Sequence, residues 1–137
     1  MKTTAESPKY THQFRVYYED TDAGGVVYHA NYLNFFERTR TEWLRSKGLQ
    51  QSHMREQANV ILAIRKMDID FILPARLDDL LTVSTQVISH SKISMMVAQE
   101  IHVEGVLMAR AQVQIVSLNA TKFKPMRFPT EYLEAII

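Results

Sequence analysis

Residues 29–48 read HANYLNFFERTRTEWLRSKG, the only long helical pattern in the chain. Tyr32, Phe36, Thr39 and Trp43 recur at helical spacing, and Phe35 and Leu33 widen them into one broad apolar face. Arg38 and Glu42 stand i,i+4 on the polar side, and Gly48 lies where a helix-ending glycine belongs. The spacing predicts a helix from His29 or Ala30 to Lys47, with a shorter one around residues 50–57.

On either side of this helix the period changes to two. Before it, HQFRVYYE (12–19) sends Phe14, Val16 and Tyr18 one way and Arg15, Tyr17 and Glu19 the other, which predicts a strand. After it, VILAIRKMDIDFIL places Ile61, Ala63, Met67, Ile69 and Phe71 on one face, closed by Pro74. LLTVSTQVIS offers Leu81, Val83, Thr85 and Val87, and ISMMVAQEIHV offers Ile93, Met95, Val97, Ile101 and Val103. VLMARAQVQIVSL offers Leu107, Ala109, Ala111, Val113 and Ile115. The linkers at 89–92 and 104–105 are short enough for hairpins, so these strands are expected to be antiparallel neighbours. A short helix can follow Pro129.

One strand, one long helix and a run of antiparallel strands predict an α+β layer structure, with the helix on one sheet face. A single helix leaves edges and much of the other face open, which favours assembly with another copy. Polar residues 1–11, with Pro8, read as a loose tail, leaving 12–137 as one domain.

The chain has 137 residues, enough for one core, with 46% hydrophobic and 23% charged residues and a net charge of +1. That balance gives no argument for a nucleic-acid partner. No apolar run is long enough to span a bilayer, and MKTTAESPKY lacks the apolar stretch of a signal peptide. With no cysteine, disulfides, cysteine-ligated zinc and thiol nucleophiles are excluded. A reducing cytoplasm is the expected compartment.

Chemistry concentrates between the first strand and the long helix, in YEDTDAGGVVYHANY (18–32). Here carboxylates lead into two glycines and then a helix N-terminus, whose N–H groups lack partners and carry partial positive charge. Gly24 and Gly25 permit a sharp turn and close approach of a ligand. A carbonyl oxygen aimed at those amides is polarised as in an oxyanion hole, and a neighbouring carboxylate can attack it or activate water. Acyl transfer to water fits. So do blander roles: Asp20 and Asp22 as turn-shaping or capping groups, or as ligands for a hard cation.

The run YYEDTDAGGVVYHANYLNFFERTRTEWL resembles the signature of hotdog-fold acyl-CoA thioesterases of the 4-hydroxybenzoyl-CoA thioesterase family, most of all the YbgC-type branch associated with the bacterial Tol–Pal system. RKMDIDFILPARLDDLLTVST is similar to the same branch, so the likeness covers nearly the whole chain. The resemblance implies a five-stranded antiparallel sheet wrapped around the long helix, dimers that join their sheets and often pair into tetramers, and no metal or organic cofactor. It implies that Asp22, not Asp20, is the catalytic carboxylate, that the polarising amide falls at about His29, and that Tyr28 and His29 line the site. The aromatic-acid branch has proline where this chain has Ala23, and lacks the histidine of YHANY. Aliphatic acyl groups are therefore the expected substrates.

His29 is the second catalytic candidate, to orient thioester or water, with a structural role as the alternative. Gly25 and Val26 are expected to build the turn and amide pocket, whereas Asn31 and Tyr32 read as helix-start and core residues. Coenzyme A phosphates call for arginine or lysine. Arg65, Arg76 and Lys92 are the leading candidates, beside Lys66, Arg110 and the Lys122, Lys124, Arg127 cluster. The same cations suit acidic acyl carrier protein, and a carrier-protein-binding subunit with incidental hydrolysis is the rival reading.

Overall fold

The computed structural model describes residues 2–3 and 8–137. In chain order it contains strand β1 (Lys2–Thr3), β2 (Tyr10–Arg15), helix α1 (His29–Ser46), α2 (Gln51–Ala58), β3 (Val60–Phe71), β4 (Leu80–His90), β5 (Ser94–Val103), β6 (Val106–Asn119) and α3 (Thr130–Ile136). All pairings are antiparallel, and the central order is β4–β5–β6–β3. The outer edge of β4 is shared: β2 covers Leu80–Thr85 and β1 covers Ser89–His90. The sheet is thus five strands wide, as expected, with its outermost position split between two segments. Of the expected tail, Tyr10 and Thr11 belong to β2 and Lys2–Thr3 form β1; residue 1 and residues 4–7 lie outside the described residues.

Helix α1 lies on one face of the sheet and buries Tyr32, Phe35, Phe36, Thr39, Arg40, Trp43 and Leu44. Leu33, expected on that face, is 44% exposed. Gly48 ends the helix at φ +77, where a side chain would be strained, while the amides of Gly48 and Leu49 return to the carbonyls of Arg45 and Leu44. Facing the helix are Leu81, Val83, Val87, Met95, Val97, Ile101, Ala109, Ala111, Val113 and Ile115, all buried. Between β5 and β6, Glu104 (φ 48) and Gly105 (φ 80) form a two-residue turn of the type that matches strand twist.

Three departures from the alternation have local causes. The first strand stops at Arg15 rather than Glu19, because the Val16 amide turns to Asp79 O (2.9 Å) and Asp20 Oδ2 captures the Tyr17 amide (2.8 Å). Tyr18–Asp20 then winds into a 3-10 turn, and Tyr18 is 81% exposed instead of facing the core. In β3 a bulge between Ile64 and Lys66 reverses the parity. Met67 and Ile69 face the core as expected, but upstream of the bulge it is Val60, Leu62 and Ile64 that share the face of Ser117 and Ile115, not Ile61 and Ala63. Ile93 belongs to the Ser91–Ser94 turn and is exposed.

At the centre of the helix–sheet interface lies a polar knot. Gln99, fully buried on β5, accepts from Arg40 Nη1 (2.9 Å) and donates to Phe36 O (3.0 Å) and Thr85 Oγ1 (2.8 Å). Its amide oxygen and both amide hydrogens are thereby engaged. Burial lowers the Arg40 guanidinium pKa below its ordinary value, and nearby Glu37 opposes this only in part.

Candidate active site

Residues 20–28 form a miniature hairpin. Its arms are joined by Tyr28 N–H to Asp20 O (2.9 Å), a bridge between Thr21 and Val27, and Asp22 N–H to Val26 O (2.9 Å). The loop is Ala23-Gly24-Gly25, closed by Gly25 N–H to Asp22 O (3.0 Å), with Gly25 in the left-handed region at φ +79. Such a three-residue loop needs a residue tolerant of that conformation at its third position. The return arm runs straight into α1 and is pinned to the body by Val27 N–H to Ala75 O (2.8 Å) and a bridge from Val26 to Arg76.

Asp22 therefore stands at the mouth of a rigid turn, within reach of solvent. Its Oδ1 accepts the Gly24 amide at 2.8 Å, which fixes the carboxylate and leaves Oδ2 available to a proton or a carbonyl carbon. Asp20 is spent differently: Oδ2 on Tyr17 N–H and Oδ1 on Asn31 Nδ2 (3.3 Å). The two carboxylates of the motif thus have separate partners. At the start of α1 no side chain caps the helix, and its first turn carries no acidic residue. Asn31 N–H bonds to Tyr28 O, while among the described residues the amides of His29 and Ala30 have no acceptor. They are donors held ready at the positive end of an 18-residue helix.

Two cavities adjoin this turn. One, of about 460 Å³, is lined by Tyr18, Thr21, Asp22, Ala23, Gly25 and Leu77. The other, about 230 Å³ and mostly apolar, is lined by Val27, His29, Tyr32 and the Phe71–Pro74 segment. Asp22 and His29 thus border different cavities. The His29 ring lies against Tyr28 (4.5 Å between centroids) and edge-on to Phe71 (6.3 Å). Tyr28 itself is 46% exposed. Tyr32 hydroxyl accepts the Ala75 amide (3.0 Å). Burial raises its pKa above the ordinary value; the Ala75 bond opposes this and Asp79 adds to it.

The basic candidates separate by location. Arg76 is beside Val26, with its backbone locked by Asp79 Oδ2 (2.8 Å), so it flanks the turn. Arg65 lies at the β3 bulge, halfway along the edge strand. Lys92 sits in the β4–β5 turn, a full strand length (about 30 Å) from Arg76. There the Phe128 amide bonds to Lys92 O, which places Arg127 beside it. Arg110 and Lys66 are on the outer sheet face in ion pairs with Asp70 and Asp68. A groove of about 410 Å³ there is lined by Asp68, Asp70, Glu100 and Arg110 with uncharged neighbours, and by no residue of the hairpin. The apolar Phe71–Leu73 run, the Asp20–Asn31 pair and Leu77 are site neighbours not anticipated from sequence. The exposed-apolar run before Pro74 was the available signal for the first.

The glycines yield a prediction. A Cβ on Gly24 would stand 3.2 Å from Asp22 Oδ1, whereas one on Gly25 meets nothing within 4 Å but needs a strained backbone. Gly24→Ala is expected to cut turnover about 10- to 100-fold by displacing the carboxylate, with little change in melting temperature. Gly25→Ala is expected to cost about 1–2 kcal/mol of stability. Steady-state kinetics and thermal melts on both variants separate the two effects.

A sheet wrapped on one long helix, with a carboxylate-bearing glycine turn at the helix start, is the hotdog architecture. Residues 16–136 match the thioesterase-like superfamily, and the chain belongs to that family. It is 42% identical over 117 residues to "Acyl-CoA thioesterase YbgC" of Haemophilus influenzae, covering 85% of this chain and 86% of the relative. It is 46% identical over 117 residues to "Acyl-CoA thioester hydrolase YbgC" of Escherichia coli O6:H1, covering 84% and 86%. The crystal structure of a probable thioesterase from Bartonella henselae superposes with a TM-score of 0.85 at 36% identity, covering 89% of this chain and all of that one.

Proposed function

We infer that this chain hydrolyses acyl-CoA thioesters to a free acid and coenzyme A, with Asp22 as general base or nucleophile. The observation that carries the reading is the hairpin that holds one fixed, half-engaged carboxylate at the mouth of the turn leading into the unpartnered amides of His29 and Ala30. A thioester carbonyl accepting from those amides gains stabilisation as its oxygen becomes anionic. Gly25 and Val26 shape the approach, and His29 with Tyr28 orients the thioester or water. Arg76, beside the turn, offers a guanidinium to the phosphates of coenzyme A.

The mostly apolar cavity beside His29 supports aliphatic acyl groups as substrates. Its outer wall, Phe71, Ile72 and Leu73, is 52%, 43% and 47% exposed and adjoins β3, a 12-residue strand with one unpaired edge among the described residues. Pairing of β3 with β3 of a second copy would satisfy that edge and wall the cavity. It would also reverse the strand direction and bring the far-end Lys92, and Arg65 at the strand centre, toward the partner's site. Sedimentation is expected to give at least twice the chain mass; a monomer at micromolar concentration would contradict this arrangement.

A second reading draws on the group Lys92, Lys122, Lys124 and Arg127, in no ion pair among the described residues. It suits acidic acyl carrier protein, either as carrier of the thioester or as a partner docked by a cytoplasmic binding subunit. Thiol release from acyl-CoAs of two to eighteen carbons (about one step per two carbons) and from acyl carrier protein thioesters tests both. Turnover peaking within the aliphatic CoA series supports hydrolysis of CoA esters. Binding of carrier protein without turnover of any thioester would replace the enzyme reading with the docking one.

A further inference from the structure

Among the described residues, the hairpin that carries Asp22 makes only one side-chain bond to the side chains of α1. Asp20 Oδ1 accepts from Asn31 Nδ2 (3.3 Å), Asp20 Oδ2 accepts from Tyr17 N–H (2.8 Å), and Asp20 O accepts from Tyr28 N–H (2.9 Å). One residue therefore ties three segments: the stretch that follows β2, the base of the hairpin and the first turn of the helix. An ionised carboxylate has acceptors only, so both groups facing it must be donors.

We propose that Asp20 is a positioning residue: by clamping Asn31 and the Tyr17 amide it fixes the arm that carries Asp22 relative to the first turn of α1, whose leading amides are unpartnered among the described residues. Asp22 follows two residues later on the same hairpin arm, and His29 precedes Asn31 by two on the helix. The spacing between the Asp22 arm and the first turn of α1 is thus fixed at its near end by this clamp. Asp20 has no part in the chemistry itself, because its oxygens are occupied by donors of the fold. The clamp matters to turnover because donors in such a site act only when aimed at the position the anionic oxygen will occupy. This inference rests on the hydrolase reading above.

The donor–acceptor logic supplies its own test. Asp20→Ala deletes both acceptors, and Asn31→Asp sets two carboxylates against each other. Asp20→Asn alone can keep both bonds, because its oxygen accepts the Tyr17 N–H and its nitrogen can donate to Asn31 Oδ1 once that side-chain amide turns over. In the double exchange Asp20→Asn/Asn31→Asp the same pattern forms, with the nitrogen at position 20 donating to the carboxylate at position 31. Asp20→Ala and Asn31→Asp are each expected to lose about tenfold or more in kcat, with KM and melting temperature near wild type. Asp20→Asn is expected to keep most of the wild-type kcat, and the exchange to regain most of what Asn31→Asp loses. Wild-type kcat in Asp20→Ala or Asn31→Asp, or an exchange no better than Asn31→Asp alone, overturns the proposal. If one of these variants fails to fold, Asn31→Ala, which only deletes the donor, takes its place with the same expected loss. Amide exchange at Tyr17 is read in parallel, and is expected to quicken in Asp20→Ala and stay slow in the double exchange. If wild type hydrolyses no thioester, the hydrolase reading fails, and unchanged exchange in Asp20→Ala would then refute the clamp separately.

Discussion

Gln99→Leu is expected to lower the melting temperature by about 10 °C, from a loss of about 3 kcal/mol or more. Leucine fills nearly the same volume, so packing is not the cause. The cost is electrostatic: the buried Arg40 loses its only side-chain acceptor among the described residues, and Thr85 Oγ1 loses its donor. A buried donor left unmade costs its full desolvation, and more when it is charged. Against stabilities of about 5–15 kcal/mol for domains of this kind, that is a large share. Gln99→Glu is expected to be milder near neutral pH, because it gives Arg40 a counter-charge and can still accept from Thr85. Part of the cost remains, because the oxygen that replaces the amide nitrogen faces Phe36 O, acceptor against acceptor, where Gln99 donated at 3.0 Å. Thermal denaturation of both variants checks the order; a Gln99→Leu protein melting within 2 °C of wild type (about half a kcal/mol) would show that Arg40 finds another acceptor.

The knot was open to a reader of the sequence, though its meaning was not. Gln99 stands at core parity between Val97 and Ile101, and Arg40 stands one turn from Phe36 and Trp43 on the apolar stripe. Two polar residues at buried positions on facing elements invite pairing, yet nothing in a linear pattern says which polar residues meet. The long helix and the strands β4, β5 and β6 were legible because hydrophobic period alone decides them. The β3 bulge was not: one extra residue at Arg65 moves Ile61 and Ala63 to the outer face without disturbing the alternation on either side. Likewise the early end of β2 depends on Asp20 capturing the Tyr17 amide, a contact between side chain and backbone that competes with the ladder. At the site, the Asp-x-Gly-Gly turn before a helix announced itself as local geometry. The two cavities beside it did not, since one depends on where Phe71–Pro74 packs and the other on where Leu77 does.

Asp22→Asn is expected to lower kcat by about 10²–10⁴-fold, the range that a positioned acid–base group contributes. Asparagine keeps an Oδ1 that can accept the Gly24 amide, so the turn should survive, and the solvent-facing position makes the stability change small, within about 0.5 kcal/mol. What disappears is the negative charge on Oδ2, and with it both routes for attack. An acyl group trapped on Asp22 in wild type would identify it as the nucleophile; its absence under rapid quench would favour water attack with Asp22 as base.

The most direct measurement is thiol release from one aliphatic acyl-CoA by wild type and Asp22→Asn side by side, at equal concentrations of folded protein. Many turnovers by wild type with at least about a hundredfold loss in the variant is the result this account predicts. Equal turnover by the two proteins, or none by wild type with any acyl-CoA, would contradict it.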